Sequence, residues 1–297
     1  MATRGLSVPI PTLWADDGGF DPGRNAKFAR SLCEAKVEHL FVLGSLGEFP
    51  SVEDTERPKL LEAVLESLSP SADAWVGVGA PTTRRAVRYA EEAESAGAAV
   101  AVAVPPYYLR PTEAEVLAYY RALHAALDIP LLAYNIPSLV GYPLSAELVH
   151  RLGAEGTIVG AKDTAGSMEH VVTYLEGAPP GFAVLPGDDA FASGAIEKGA
   201  AGAVMGVANV VPRLCVELVH AAEKGEWPRA RELQALVDDV EGAIHAGPFP
   251  SAVKFLAAHL RKADVGYRAP YGPLTSGEER AATLAIEPLR SRLQPFL

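Results

Sequence analysis

A lysine that closes an apolar run is the residue in this chain whose type and setting most invite chemistry. Thr157-Ile158-Val159-Gly160-Ala161 leads into Lys162-Asp163-Thr164, and no other lysine falls between Lys59 and Lys198. At the rim of an apolar core a lysine is partly desolvated, which favours the neutral amine, the form that attacks a carbonyl and makes an imine. A solvated lysine paired with its neighbour Asp163 would have no such role. Tyr134, in Tyr134-Asn135-Ile136-Pro137, closes another apolar run. A phenol beside a carbinolamine can relay protons as an imine forms and breaks, whereas one that only covers the core cannot. Gly44-Ser45-Leu46-Gly47-Glu48 is followed by Ser51-Val52-Glu53-Asp54, which has the pattern of a capping box starting the next helix. Such a turn offers backbone N–H groups and the Ser45 hydroxyl to a carboxylate, or else is a plain strand-to-helix turn. It is neither a Walker A loop nor a dinucleotide-binding fingerprint. Pro105-Pro106-Tyr107-Tyr108-Leu109-Arg110-Pro111 is a stiff segment projecting two aromatics, which surface or interface packing would explain. Gly187-Asp188-Asp189 sets two carboxylates side by side, but no His or third acid nearby completes a metal site, so capping and hydrogen bonding are expected of them.

These residues need a scaffold that brings several strand ends to one opening. Short apolar runs recur at His39–Leu43, Ala74–Val78, Ala99–Val104, Pro130–Tyr134, Ile158–Ala161, Phe182–Leu185 and Gly202–Met205. Each reads as a buried parallel strand. Amphipathic stretches such as Asp54–Glu66, Thr83–Ser95, Glu113–Ala126 and Ser145–Arg151 lie between them, often introduced by Ser, Thr or Pro. Alternation of this kind means repeated right-handed βα units. With a first strand around Leu6–Pro9 the count reaches eight by residue 206, which predicts an α/β protein with a (β/α)8 TIM barrel over residues 1–226 rather than an open doubly wound sheet. Beyond Pro228 the periodicity is helical, with breaks at Gly247–Pro250 and Ala269–Pro273, so residues 227–297 are expected to form a C-terminal three-helix extension. In a barrel, chemistry gathers at the C-terminal ends of the strands, although the fold names no reaction.

Composition narrows the partners. A chain of 297 residues, 49% apolar, can bury a large core, and its net charge of -11 disfavours nucleic acid and anionic membrane surfaces, leaving a small diffusible ligand. Cys33 and Cys215 stand far apart in amphipathic patterns and suggest neither a disulfide nor a CxxC site. No basic-then-apolar leader opens the chain, and the longest apolar run, Ala96–Pro106, is too short to span a bilayer, so a cytoplasmic protein is expected.

Taken together, Gly44-Ser45-Leu46-Gly47-Glu48, Pro106-Tyr107-Tyr108, Tyr134-Asn135-Ile136-Pro137, Gly160-Ala161-Lys162-Asp163-Thr164 and Gly187-Asp188-Asp189 resemble, in order and spacing along essentially the whole chain, the dihydrodipicolinate synthase and N-acetylneuraminate lyase family of class I pyruvate aldolases. Val253-Lys254 is similar to that family's C-terminal region. The resemblance implies a lyase with a Schiff base on Lys162, proton relay by Tyr134, and Ser45 binding the 2-oxo acid carboxylate, with no metal or organic cofactor. From alignment alone it adds Tyr108 as a second relay tyrosine contributed across a subunit interface, Gly187 and Val204 against the pyruvyl group, and a homo-oligomer, a dimer or a dimer of dimers (homotetramer).

Two positions depart from the synthase pattern. Leu139 stands where dihydrodipicolinate synthases carry an arginine for the aldehyde's carboxylate, and a leucine cannot replace a bidentate charged contact. Leu46 removes a hydroxyl from the carboxylate site while leaving its backbone N–H. Substrates expected on this basis are a 2-oxo acid and an aldehyde, in a 2-keto-3-deoxygluconate-type or sialate-type aldolase. Dihydrodipicolinate synthase and a dehydratase on the same imine chemistry are the enzymatic alternatives. A noncatalytic 2-oxo acid binding protein is the alternative from another class, disfavoured because Ser45, Tyr134 and Lys162 are all present.

Overall fold

The computed structural model describes residues 3–297. Among these, β1 (Gly5–Pro9), β2 (His39–Val42), β3 (Asp73–Gly77), β4 (Val100–Ala103), β5 (Leu131–Asn135), β6 (Gly160–Asp163), β7 (Ala183–Pro186) and β8 (Gly202–Val204) form an eight-stranded sheet ordered β7-β6-β5-β4-β3-β2-β1-β8. Just before β8, the N–H of Ala201 donates to the carbonyl of Val184 on β7. The two ends of that order therefore meet, and the fold is the (β/α)8 barrel expected from the alternating pattern. Residues such as Val100, Ala101, Val102 and Ala103 are buried on both faces of β4, which explains why the strands read as continuous apolar runs.

Contacts group the chain into two units. One comprises Ala74–Val204 with the described part of Met1–Gly5. Its helix Thr83–Ser95 buries Ala86, Tyr89, Ala90 and Ala93, a stripe at helical spacing. Helix Glu113–His124 opens with a reciprocal capping box, in which Glu115 accepts from the Thr112 N–H at 2.7 Å and Thr112 accepts from the Glu115 N–H at 3.4 Å. Buried phenols of the helices donate to carbonyls around the strand ends: Tyr120 to Ala103 at 2.9 Å and Tyr174 to Leu144 at 2.8 Å.

The other unit comprises Leu6–Asp73 and Met205–Leu297. Here the helix after β2 is Arg57–Leu65, not Asp54–Glu66, and the capping box expected at Ser51–Asp54 does not form. Phe49–Ser51 is a 3-10 turn instead, Pro58 stands in the first turn of the helix, and the Glu56 carboxylate receives Arg268 through two bonds of 2.6 and 2.7 Å. Residues beyond 226 form helices Trp227–Ile244, Ser251–Arg261 and Ser276–Ile286 and a four-residue helix Arg290–Leu293. The first of these packs on helix Pro212–Glu223. No helix among the described residues is long and apolar enough to cross a membrane.

Candidate active site

Strand β6 begins two residues later than the apolar run suggested, so Lys162 lies inside the paired strand rather than after it. Its direction is thereby set by the pleat, in which neighbouring side chains alternate between faces. Lys162 is in register with Tyr134 on β5 and Leu185 on β7. The side chain is only 5% exposed, and Nζ lies 3.8 Å from the centroid of the Tyr134 ring, itself 3% exposed. A cation over an aromatic face at this range is attracted by the negative face of the ring's quadrupole. An amine so placed is shielded from water and rests on the residue that carries the phenol.

The pairing of Lys162 with Asp163 does not occur through the Asp163 carboxylate, because the pleat turns Asp163 and Asn135 to the opposite face. Asp163 Oδ1 accepts from Asn135 Nδ2 at 2.6 Å, and Oδ2 lies 3.0 Å from His170 Nδ1. Asn135 Oδ1 accepts from the Leu144 N–H at 2.9 Å, and the His170 ring stands 4.7 Å from that of Tyr174. Burial pushes the Asp163 carboxyl above the usual carboxylate range, opposed by its bond to Asn135 and by His170. Each of the adjacent pairs Tyr134-Asn135 and Lys162-Asp163 thus presents one residue to each face. The buried polar set behind β5 and β6 holds the strand ends that carry the amine and the phenol.

The β7 end closes around the same lysine. The Gly187 N–H donates to the Asp163 carbonyl at 2.7 Å, and a Cβ at Gly187 would fall 2.6 Å from Cε of Lys162 and closer still to Oγ1 of Thr164. Glycine is required there because the backbone passes so near the lysine. Asp188 Oδ2 accepts from the Gly166 N–H at 3.0 Å, the hydrogen-bonding role expected of it. Its pKa is raised by burial, against the opposing effects of that bond and of the Lys162 charge. No three His, Cys, Asp or Glu among the described residues are grouped so as to hold a metal ion.

Other residues marked in the sequence have plainly different settings. Val204 ends β8 and is 1% exposed. Leu139 lies in a short helix, Pro137–Val140, that the sequence reading did not foresee, and is largely exposed. Tyr108 is 94% exposed, with a left-handed φ of 76° that few non-glycine residues adopt.

In the second unit, the turn Gly44–Glu48 follows β2 and is pinned from several directions. The Glu48 N–H donates to the Ser45 carbonyl at 3.1 Å, and the Thr12 hydroxyl donates to the Gly47 carbonyl at 2.5 Å. Leu46 is buried, and Ser45 is partly exposed. Glu48, at φ 51°, is buried and ion-paired with Lys254 of helix Ser251–Arg261, Nζ to Oε1 being 2.5 Å. Sequence reasoning missed this pair. The signal was present: Lys254 shares a helix face with Ser251 and Ala257, which are also buried, so a charge fell where the spacing called for core.

A barrel whose strand ends hold a buried amine against a phenol places the chain among the (β/α)8 enzymes. The model of the Dihydrodipicolinate synthetase family matches residues 2–288. An uncharacterized DapA-like lyase of Halobacterium salinarum is 35% identical over 283 residues, covering 95% of this chain and 92% of that protein. The 4-hydroxy-tetrahydrodipicolinate synthase of Thiobacillus denitrificans is 32% identical, covering 95% and 96%. Among solved structures, YagE, a prophage protein of the dihydrodipicolinic acid synthase family from E. coli K12 in complex with pyruvate, superposes with a TM-score of 0.92 at 26% identity over 99% of this chain and 100% of its own. The chain belongs to the dihydrodipicolinate synthetase family and is a lyase of that family.

Proposed function

We propose that Lys162 forms a Schiff base with pyruvate or another 2-oxo acid, and that the chain is an aldolase of the 2-keto-3-deoxy sugar acid or sialate type. The observation that carries this reading is the Lys162 amine, 5% exposed and 3.8 Å from the centroid of the Tyr134 ring. The pyruvate bound to YagE is consistent with it. In the proposed reaction the neutral amine attacks C2, and the carbonyl oxygen takes up a proton. The carbinolamine then loses water to give an iminium. Loss of a proton from C3 yields an enamine, and that carbon adds to an aldehyde. In reverse, the C3–C4 bond breaks and its electrons are taken up by the iminium. Hydrolysis returns the free lysine. Tyr134 carries protons to and from the carbinolamine oxygen. Ser45 and the N–H groups of its turn receive the carboxylate, and Gly187 and Val204 border the pyruvyl group.

Leu139 supports the choice of aldehyde, because no guanidinium stands at that position to grip an acceptor's carboxylate. The second reading, dihydrodipicolinate synthase of lysine biosynthesis, is favoured by relatives such as the Thiobacillus denitrificans enzyme. We assign Tyr108 to the proton relay of a second copy in a dimer or dimer of dimers, a role suited to a ring 94% exposed in the single chain. Borohydride reduction in the presence of pyruvate, followed by peptide mapping, tests the imine. A panel of aldehyde acceptors with pyruvate then separates the two readings: aspartate semialdehyde should be a poor acceptor, and efficient condensation with it would favour the synthase.

A further inference from the structure

We propose that Lys254 is a positioning residue that acts through Glu48 to set the turn Gly44–Glu48 for the carboxylate of the 2-oxo acid. This rests on the reading, given above, that the turn receives that carboxylate. The lysine is 1% exposed, and its Nζ reaches both Glu48 Oε1, at 2.5 Å, and the Gly266 carbonyl, at 3.1 Å. The other carboxylate oxygen of Glu48 accepts from Trp14 Nε1 at 3.4 Å. Along the backbone, Glu48 donates to the Ser45 carbonyl at 3.1 Å and accepts from the Ser51 N–H at 2.7 Å.

Two features make this more than a core contact. Glu48 holds a left-handed φ of 51°, which few non-glycine residues adopt, and here the residue is buried. The turn that it closes also contains Gly44 and Gly47, the two residues least able to hold a shape of their own. A buried ion pair, moreover, is weakly justified by stability alone, since an apolar pair of similar volume often does as well. What the pair supplies is a directional grip. The Glu48 peptide is bonded to the Ser45 carbonyl, so a shift of the Glu48 side chain carries the Ser45 peptide with it. A displacement of about 1 Å at a binding group is enough to cost on the order of a hundredfold.

The test measures borohydride trapping of the protein as a function of pyruvate concentration, with peptide mapping to separate labelling of Lys162 from labelling of the second buried amine at 254. In Lys254→Met the half-saturating pyruvate concentration should rise about tenfold or more, while the limiting trapping rate and the labelled residue stay those of the wild type. Because a single substitution strands the Glu48 charge, Glu48→Gln/Lys254→Met is measured alongside it. The double variant removes both charges and should fold, yet keep the raised half-saturation. A half-saturation within about twofold of the wild type in the folded double variant would overturn the proposal. So would its failure to fold, which would assign the pair to folding alone. Failure of the wild type to be labelled at all would instead count against imine formation, so the two outcomes are distinguishable.

Discussion

Replacing Gly187 by alanine puts a methyl group against the proposed nucleophile. The added carbon would stand 2.6 Å from Lys162 Cε. Carbons at rest are separated by about 3.5–4.0 Å, so relief requires a movement of roughly 1 Å. Thr164 Oγ1 and the Asp163 carbonyl crowd the same point, the latter at 3.4 Å, and the lysine arm is the most flexible of the three. The strain costs about 1–3 kcal/mol of stability, as overpacking of a filled site does. A displacement of that size at the amine costs about a hundredfold in rate, because bond formation depends on near-attack geometry. Borohydride trapping with saturating pyruvate reads the rate, and denaturant unfolding reads the stability. Gly187→Ala is expected to stay folded and trap pyruvate about a hundredfold more slowly. A folded variant that traps within about threefold of the wild type would refute the claim that Lys162 works from this position.

Tyr134→Phe keeps the ring and loses the hydroxyl. The expected result is a trapping rate lowered on the order of a hundredfold with Lys162 still the labelled residue, and an unchanged rate would remove Tyr134 from the proton relay. Glu56→Gln tests the tie to Arg268, and because it weakens a charged, mostly buried double hydrogen bond, it should cost about 1.5–3 kcal/mol in urea unfolding at neutral pH. Hydrogen bonding from Arg268 holds the Glu56 carboxyl below its ordinary value of 4.5, so the folded state favours the ionised form. That contribution is present above pH 4.5 and is lost as pH falls through the lowered value, so the variant should lose less stability than the wild type on acidification. Among acceptors, polyhydroxylated aldehydes should support carbon–carbon bond formation with pyruvate and aspartate semialdehyde should not, measured as product formed against a Lys162→Ala control.

The barrel was legible because buried parallel strands are written as uninterrupted apolar runs, and β4 and β7 fall within a residue or two of where those runs lie. Lys162, Tyr134 and Gly187 were legible as a set through a family resemblance. Their meeting depends on strand register, which no local pattern encodes. The same limit bears on the rest. The alternative for Lys162, pairing with its neighbour Asp163, fails for the same reason, since adjacent residues in a strand face opposite ways and the partners of Asp163 are Asn135 and His170. The box read at Ser51–Asp54 does not form because Ser51 ends the 3-10 turn Phe49–Ser51 and the helix starts later, with Glu56 at its N-cap. Local boxes did form at Thr112 with Glu115 and at Thr275 with Glu278, where nothing distant competes. Glu48 and Lys254 are likewise joined only by the fold.

Peptide mapping after borohydride reduction in the presence of pyruvate probes the central assignment most directly. One reduced pyruvyl group should be found on Lys162, dependent on pyruvate and absent from Lys162→Ala. A wild-type protein that stays unlabelled at Lys162, or one labelled equally well after that lysine is replaced, would contradict it.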